Sequence, residues 1–266
     1  MRAICAVRDS NPAALRIQLA GRVTMASPYT VLDERLLCGS HARVLFALLV
    51  LERDRPVSRG ELGDALWPDG LPRTWGAALR GVVSKVRAFV TAVGLPENAV
   101  TYDGFGAYQL HLPAAVAIDV ESAGIAVETA EQMLRDGDVA SAIELAEYAR
   151  SVAARPFLLD AKGWWIDGVR DRLREVLWWA LCVLGEGHTQ GGRPQLAVLA
   201  AEQAIVLEPF RERAYRLLMR AHAAAGNPAE ALRVYDRCRR LLADDLGVCP
   251  AAETATLHLT LLRHEL

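Results

Sequence analysis

The stretch ARVLFALLVLERDRPVSRGELGDALWPDGLPRTWGAALRGVVSKVRAFV, residues 42–90, decides the fold that we predict for the N-terminal half of the chain. Its apolar residues recur at helical spacing, and two proline-containing breaks, Pro56 and residues 68–72, interrupt that period. The stretch therefore predicts three helices in succession. Ser40, which lies just before it, is predicted to cap the first helix.

The second and third helices have clear start signals. Ser58 and Glu61 have the spacing of a capping box, in which the hydroxyl and the carboxylate each accept a backbone N–H. This box predicts a helix from Ser58 that ends at residues 67–68. Thr74 then opens a third helix that runs to about Val93.

Strand patterns lie on both sides of the three helices. Leu15, Ile17 and Leu19 alternate with polar residues, which predicts a small opening sheet. After the helices, residues 99–102 and 107–112 are strand-like and are separated by a glycine-containing turn, so they predict a hairpin. A sheet, three helices and a hairpin in this order are typical of a winged helix-turn-helix, which we place at residues 15–113, after an N-terminal extension at residues 1–14.

The remaining residues, 114–266, read as helical throughout, so the fold class is mostly α with small β-sheets. Small and apolar residues recur here at a spacing of 34, the period of tetratricopeptide repeats. This spacing predicts an all-α, tetratricopeptide-like domain of stacked helix pairs. The recurring pairs are Gly192 and Gly226, Ala197 and Ala231, Ala204 and Cys238, and Leu207 and Leu241.

Composition and motifs disfavour several classes of function. The longest apolar runs are much shorter than the roughly 20 residues that a membrane span requires, and the N-terminus has no secretory h-region, so we expect a cytoplasmic protein. The five cysteines include no CxxC pair, and the histidines lack metal-ligand spacing. No phosphate-loop, zinc-hydrolase, serine-hydrolase or dinucleotide signature occurs. We therefore expect no enzyme activity, no cofactor and no metal.

The net charge of −2 is unevenly distributed. Residues 1–113 contain 13 Lys and Arg against 10 Asp and Glu, whereas residues 114–266 contain 17 against 22. A net +3 in the first part permits a face that attracts nucleic acid, although the effect depends on how the charges cluster.

The third predicted helix has two different faces. Leu79, Val82, Val83, Val86 and Val90 form the predicted inward stripe, and polar or small residues form the opposite side, which is the side that enters the major groove in this class of protein. A solvated helix face with a few charges is the alternative interpretation. The candidate DNA-binding residues are Arg73, Thr74, Arg80, Gly81, Ser84, Lys85 and Arg87 on or before the helix, and Tyr102, Gly104 and Phe105 at the hairpin. Asp103, in the same turn, is expected to repel phosphate.

Several segments, taken in order, resemble the SARP/AfsR-type transcriptional regulators, in which an OmpR-type winged helix precedes a bacterial transcriptional activator domain. They are LRIQLAGRV, ARVLFALLVLERDRPVSRGELGDALWPDGLP, AALRGVVSKVRAF, GAYQLHLP, GDVASAIELAEYA and ERAYRLLMRAHAAAGNPAEALRVYDRCRRLLADDLGVCP, which extend over most of the chain. Gly81 and Val82 depart from the polar side chains that are common in the family's recognition helix.

The resemblance implies a function and partners. It implies binding of double-stranded DNA at promoter repeats by side-by-side protomers, recruitment of RNA polymerase and activation of a biosynthetic gene cluster. The polymerase-facing loop would comprise Trp67, Asp69, Gly70, Leu71 and Arg73.

Other interpretations remain open at this point. The winged helix would have lost DNA readout in a protein-interaction adaptor, which Gly81, Val82, Asp103 and the acidic second domain favour. A regulator that responds to a small molecule is a third class. The pairs Trp164–Trp165 and Trp178–Trp179 predict one core and one interface side chain each, with a partner or effector site as the alternative.

Overall fold

The computed structural model describes residues 15–263, and the predicted N-terminal extension lies outside them. These residues are mostly helical with small sheets, and they divide into two compact units. Within the described residues, unit 1 comprises residues 15–122 and 152–173, and unit 2 comprises residues 123–151 and 174–263. The units are thus drawn differently from the division at residue 113 that we predict from the sequence, which stays a prediction.

Among the described residues, the strands of unit 1 form two sheets. Strands β1 to β3 and β7 form one sheet in the order β3-β2-β1-β7, where β7 pairs parallel to β1 and the other pairs are antiparallel. Strands β4 to β6 form an antiparallel sheet in the order β4-β6-β5. The strands are β1 Arg16–Gln18, β2 Thr24–Ser27, β3 Thr30–Asp33, β4 Val57–Ser58, β5 Val100–Tyr102, β6 Ala107–Leu110 and β7 Ala117–Ile118.

Three helices follow along the chain between β3 and β5, as the sequence predicts, with the short strand β4 between the first two. They are α1 (Ser40–Leu51), α2 (Arg59–Leu66) and α3 (Trp75–Ala92). The capping box is confirmed, because the Glu61 N–H donates to Ser58 Oγ over 3.2 Å and the Ser58 N–H donates to Glu61 Oε2 over 2.9 Å.

The capping role of Ser40 is wrong. Ser40 is the first residue of α1, and the capping position belongs to Gly39, which has no side chain with which to accept a hydrogen bond. The apolar residues of α1 are buried on so many sides that packing, rather than a cap, stabilises its start.

The core of unit 1 holds α3 against α1. Phe46 and Phe89 meet edge to face, with ring centroids 5.1 Å apart. The buried stripe of α3 consists of Leu79, Val83, Val86, Phe89 and Val90. The predicted stripe is correct at four positions, Val82 is only half-buried at its edge, and Phe89, which we did not assign to the stripe, is buried in it.

A segment distant in sequence belongs to unit 1. Phe157 forms a β-bridge with Ala20, and the Gly21 N–H donates to the carbonyl of Pro156 over 2.8 Å. The Arg170 guanidinium donates to the carbonyls of Phe157, Leu158 and Ala161, which fixes this stretch of backbone.

The helices α4 Asp119–Arg135, α5 Val139–Ala153 and α6 Trp164–Gln190 begin the second half of the chain, and α7 Pro194–Leu207, α8 Glu212–Ala224, α9 Pro228–Leu241 and α10 Ala252–Leu262 follow, with a π-helical turn at Leu242–Leu246. In unit 2, α8 packs against both α7 and α9. The 34-residue spacing coincides with matched elements: α7 and α9 each have 14 residues and start with proline. Gly192 and Gly226, just before them, both have positive φ, a conformation that glycine adopts without strain.

Small buried residues line the core of unit 2. Ala197 and Ala231 are fully buried, as are Ala204 and Cys238, so the recurring small positions are contact positions. Larger side chains from α6, α8 and α10 fill the space around them, including Trp178, Leu218 and Leu261. Within residues 15–263, no helix is both long enough and apolar enough to cross a bilayer.

Candidate nucleic-acid interface

The outward face of α3 combines short side chains with one arginine, Arg80, that is unpaired within the described residues. Ala77, Gly81, Ser84 and Ala88 are exposed, and a Cβ added at Gly81 would meet no atom within 4 Å. Arg80 is exposed on this face and forms no hydrogen bond or ion pair with any residue from 15 to 263. Because the side chains around the Arg80 guanidinium are short, the backbone of α3 can approach a DNA duplex closely.

Residues at the N-terminal end of α3 are also open. Arg73 and Thr74 are exposed, and Arg73 has no hydrogen-bond or ion-pair partner in the described part of the chain. Thr74 occupies the capping position without a side-chain hydrogen bond, and the first turn of α3 contains no acidic residue. The N–H groups of Trp75 and Ala77 in this turn already donate to the carbonyls of Pro72 and Thr74, so it is the positive dipole end of α3 that favours an anion here.

The other two cations of α3 already have partners. Lys85 Nζ donates to the carbonyl of Cys38 over 2.9 Å, although the lysine remains exposed. The half-buried Arg87 donates through Nε and Nη2 to the carbonyl of Val100, over 3.2 and 3.0 Å. Arg87 thus ties α3 to strand β5, which fixes the position of the hairpin relative to the helix.

The turn of the β5–β6 hairpin presents an aromatic side chain. Phe105 is 98% exposed at the tip beside the exposed Gly104, and the half-exposed Tyr102 lies against Tyr108 with ring centroids 5.0 Å apart. The Asp103 carboxylate accepts the N–H groups of Phe105, Gly106 and Ala107 at 2.8 to 3.0 Å.

Asp103 therefore acts within the turn. Hydrogen bonds from backbone N–H groups, that of Ala107 foremost, lower the pKa of Asp103 and hold it ionised. Its charge is balanced by three donors, so the repulsion of phosphate that we expect from the sequence is weaker than for a bare carboxylate.

An open groove of about 990 Å³ runs between α3 and β5. Ser84, Ala88 and Thr91 line it on the helix side, and Thr101 and Tyr102 line it on the strand side. Arg87 and Glu97 contribute one charge of each sign to its wall, so the groove itself has no net positive charge.

In the loop between α2 and α3, side chains of the first half contact other segments, and side chains of the second half are exposed. The Trp67 ring lies 5.3 Å from that of His41, and Asp69 forms an ion pair of 2.8 Å with Lys162. Leu71 and Arg73, in the second half, are exposed. Of the predicted polymerase-facing residues, Trp67 and Asp69 are therefore held by contacts, whereas Leu71 and Arg73 are exposed.

Residues 160–163 contact this loop, and the sequence did not predict that contact. Asp160 pairs with Arg43 of α1, and a Cβ added at Gly163 would lie 3.3 Å from Pro68 Cβ. Together these residues and the loop line a groove of about 210 Å³. No sequence signal indicates this contact, because Lys162 and Asp69 are 93 positions apart.

The sequence also did not predict a place for Arg59 at this site. It begins α2, and its guanidinium lies over the indole ring of Trp75 at 5.0 Å from the ring centroid. This contact brings a second arginine, besides Arg73, to the N-terminal end of α3.

The second half of the chain decides the family. Residues 118–262 match the family described as the bacterial transcriptional activator domain. The chain is 34% identical to the regulatory protein AfsR of Streptomyces coelicolor and 29% identical to the transcriptional regulator RedD of the same organism. The chain belongs to this family of SARP-type transcriptional regulators.

This SARP-type regulator spans different shares of its relatives. The AfsR match covers 82% of the chain and 21% of AfsR, and the RedD match covers 84% of the chain and 64% of RedD. EmbR of Mycobacterium tuberculosis is 27% identical over 84% of the chain and 58% of EmbR. These relatives are named as transcriptional regulators, which fits a protein that is not an enzyme.

The fold of the SARP-type regulator also has a solved counterpart. It is similar to the structure of M. tuberculosis EmbR in complex with a low-affinity phosphopeptide, with a TM-score of 0.81 and 22% identity. The similarity covers 94% of this chain and 65% of that one, and at this identity it concerns the fold alone.

The tryptophan pairs of the SARP-type regulator are placed unequally. Trp165 is buried and donates to Glu52 over 3.4 Å, whereas Trp164 is 66% exposed, as the sequence predicts for a core and an interface side chain. Trp178 is buried under the Arg211 guanidinium, and Trp179 is half-buried. Neither the Trp178 nor the Trp179 indole N–H finds an acceptor among the described residues.

Proposed function

We propose that the chain is a sequence-specific DNA-binding transcriptional activator of a biosynthetic gene cluster, which binds promoter repeats through α3 and recruits RNA polymerase. The observation that supports it most is the exposed face of α3, where Arg80 has no hydrogen-bond or ion-pair partner among residues 15–263 and its neighbours are short. Residues 40–110 would then act as a winged helix-turn-helix, with α3 in the major groove and the β5–β6 hairpin as the wing.

The cations divide naturally into two roles under this proposal. Arg80 and Ser84 have the reach for base edges, and Arg73 and Thr74 lie where phosphate would meet the start of α3. Lys85 would exchange its bond to the Cys38 carbonyl for a phosphate, and Arg87 would position the wing. Tyr102, Gly104 and Phe105 would contact the backbone or the minor groove.

The α2–α3 loop is the proposed contact with RNA polymerase. Its first half is fixed by His41 and Lys162, whereas Leu71 and Arg73 are exposed and presented to a partner. We propose that unit 2 is a tetratricopeptide-like array, on the basis of the matched α7 and α9, and that protomers bind side by side on repeated DNA sites in the cytoplasm.

A salt titration of DNA binding tests the proposal. Binding of the full chain to a labelled duplex from upstream of its own operon should weaken steeply as salt rises, because bound cations displace counterions from phosphates. Arg80→Ala should lower affinity for that duplex by about tenfold, the effect of losing one good base contact. Weak binding that is the same for every sequence and every salt concentration contradicts the proposal.

Arg220→Ala is the matched control. Arg220 is an exposed arginine on helix α8 that has no hydrogen-bond or ion-pair partner within residues 15–263. Its loss removes the same charge from a different unit, so we expect unchanged DNA affinity. Circular dichroism of both variants checks that helix content is retained.

A protein-interaction adaptor is the second candidate. Leu196, Leu199 and Val206 lie on one face of α7 and are exposed, with Val206 at 81%. Such an apolar stripe is typical of a partner surface. Retention of one stoichiometric protein partner together with no DNA binding would favour this function.

A further inference from the structure

Arg59 joins three elements at one edge of unit 1. Its backbone N–H donates to the carbonyl of Gly106 in the hairpin turn over 2.7 Å, which anchors the start of α2 to the hairpin. Its side chain extends in the other direction, to the start of α3, where the guanidinium carbon lies 5.0 Å from the centroid of the Trp75 ring. The Trp75 ring also lies close to α2, 3.6 Å from the position that a Cβ on Gly63 would occupy.

Glycine at residue 76 lets this guanidinium lie in its present position against the first turn of α3. A Cβ added at Gly76 would lie 2.7 Å from Arg59 Nη2, which is closer than such atoms approach in proteins. Glycine lowers the helix propensity of this turn, so its presence inside α3 has a stability cost. The close approach of Arg59 accounts for that cost.

The donors of the guanidinium are unused. Across residues 15–263, no carboxylate, carbonyl or hydroxyl accepts a hydrogen bond from the Arg59 side chain, which is partly exposed. Stacking on an aromatic ring occupies the face of a guanidinium and leaves its N–H groups, which lie in the plane of the group, available for an anion. Arg73, also unpaired, lies at the same end of α3.

We propose that Arg59 is a DNA phosphate-binding residue, held between the hairpin and the start of α3 by the Trp75 ring and by the space at Gly76. The ligand is a backbone phosphate of double-stranded DNA, which a planar, pre-oriented guanidinium binds through two N–H groups. This inference rests on the proposed function, and it adds a contact on α2 to those expected on α3 and the hairpin. A phosphate contact positions the protein and does not read sequence.

Fluorescence anisotropy with two duplexes tests the site. The probes are the upstream duplex and a scrambled duplex of the same length and composition, each titrated with the full chain at several salt concentrations. Arg59→Ala should weaken binding to both duplexes by the same factor, about tenfold, and should reduce the slope of log affinity against log salt by about 1. Arg59→Lys keeps the charge but loses the stacking, and it should fall between Arg59→Ala and the parent chain.

Gly76→Ala tests the geometry without removing the arginine. The added methyl group displaces the end of the Arg59 side chain, so affinity should fall on both duplexes, while the higher helix propensity of alanine keeps α3 folded. In the double variant, Gly76→Ala should cause no further loss beyond that of Arg59→Ala, because the two changes act on one contact. Arg22→Ala, an exposed charge next to the other sheet of unit 1, is the control and should bind like the parent chain.

The outcomes separate this inference from the proposed function. Parent-like binding by Arg59→Ala, or equal losses from Gly76→Ala with and without Arg59, overturns the Arg59 site while Arg80→Ala still reports on α3. Absence of salt-dependent binding by the parent chain overturns both.

Discussion

Two arginines at α3, Arg80 and Arg73, and two arginines of unit 2, Arg211 and Arg237, are used in opposite ways. Arg80 is exposed and unpaired within the described residues, and so is Arg73 just before the helix. In unit 2, by contrast, Arg211 forms two hydrogen bonds with Glu175, and Arg237 forms two with Glu202. An arginine in an ion pair stabilises its own fold, and the carboxylate beside it cancels most of its attraction for a polyanion. An unpaired arginine remains available to bind one.

This contrast explains why net charge is a poor guide to the binding surface. The chain has an overall charge of −2, yet the cations near the start of α3 are not neutralised by carboxylates in its first turn. What matters for phosphate attraction is the local excess of unpaired charge and the short side chains around it. The four predictions that follow test this contrast, from the largest expected effect to the smallest.

The contrast depends first on the core that holds α3 in place. Leu79→Ala removes a fully buried side chain beneath Arg80, and we expect it to lower the free energy of unfolding by about 3 kcal/mol and to abolish DNA binding at elevated temperature. Urea unfolding followed by circular dichroism measures the first effect. Ala77→Ser, an exposed change on the same helix, is the control for stability and should leave the free energy of unfolding nearly unchanged; an equal loss of stability in the two variants would show that α3 is not packed as described.

Charge reversal tests the contrast directly. Arg80→Glu should reduce affinity for duplex DNA by more than tenfold at low salt, since it replaces an attraction to phosphate with a repulsion. Arg237→Glu makes the same change in charge at a paired, half-exposed position, and should lower unfolding stability by less than about 1 kcal/mol with little effect on DNA affinity. Equal losses of DNA affinity in the two variants would mean that overall charge, and not the α3 face, governs binding.

Unit 2 should respond to pH through His188. Burial, together with the charge of Arg193, lowers the pKa of His188, and no partner for its Nδ1 is found among the described residues. The unfolded chain, with an ordinary histidine pKa of about 6.5, therefore takes up the proton first as pH falls. The free energy of unfolding should then decrease as pH drops below about 6.5.

Urea unfolding at pH 7.5 and at pH 5.5 measures this dependence. His188→Gln cannot take up the proton and should flatten the difference in unfolding free energy between the two pH values. An unchanged pH dependence in His188→Gln would exclude this residue as its source.

The fixed half of the α2–α3 loop should affect activation more than DNA binding. Lys162→Ala removes the ion pair with Asp69, an exposed contact of small energetic value, so stability and DNA affinity should change little. Faster hydrogen exchange at Asp69 and Gly70, with lower transcript yield in a reconstituted reaction, is the expected result. The control is Lys162→Arg, which keeps the pair; unaltered exchange in Lys162→Ala would show that the segment at residues 160–163 does not hold the loop.

Local signals in the sequence predicted the helices and the hairpin well. The capping box at Ser58 and Glu61, the bounds of α3 and the turn at residues 103–106 all depend on neighbours within a few positions, so the residues themselves indicate them. The errors came where packing overrides local preference. Ser40 lies inside α1, and on α3 Phe89 is buried, which we did not predict, while Val82 is only half-buried.

The candidate site was predictable only in part. Helical spacing placed Arg80, Gly81 and Ser84 on the open side of α3, where the structure also has them. It did not indicate that Arg87 is bonded to β5, that Asp103 is satisfied within its turn, or that Arg59 lies on Trp75. Each of these depends on a side-chain conformation that is selected by atoms from another element.

The sequence by itself determined the order of the three helices and the hairpin of unit 1, the two faces of α3 and the 34-residue register, because these follow from short-range periodicity and from the chemistry of serine, proline and glycine. It did not indicate strands β4 and β7, which exist only through pairing with distant strands. Only the tertiary structure decided which cations are paired, which carboxylates are neutralised and which distant segment holds the α2–α3 loop. Such contacts join residues up to 117 positions apart, and their energies depend on distances of a few ångströms that no sequence spacing encodes.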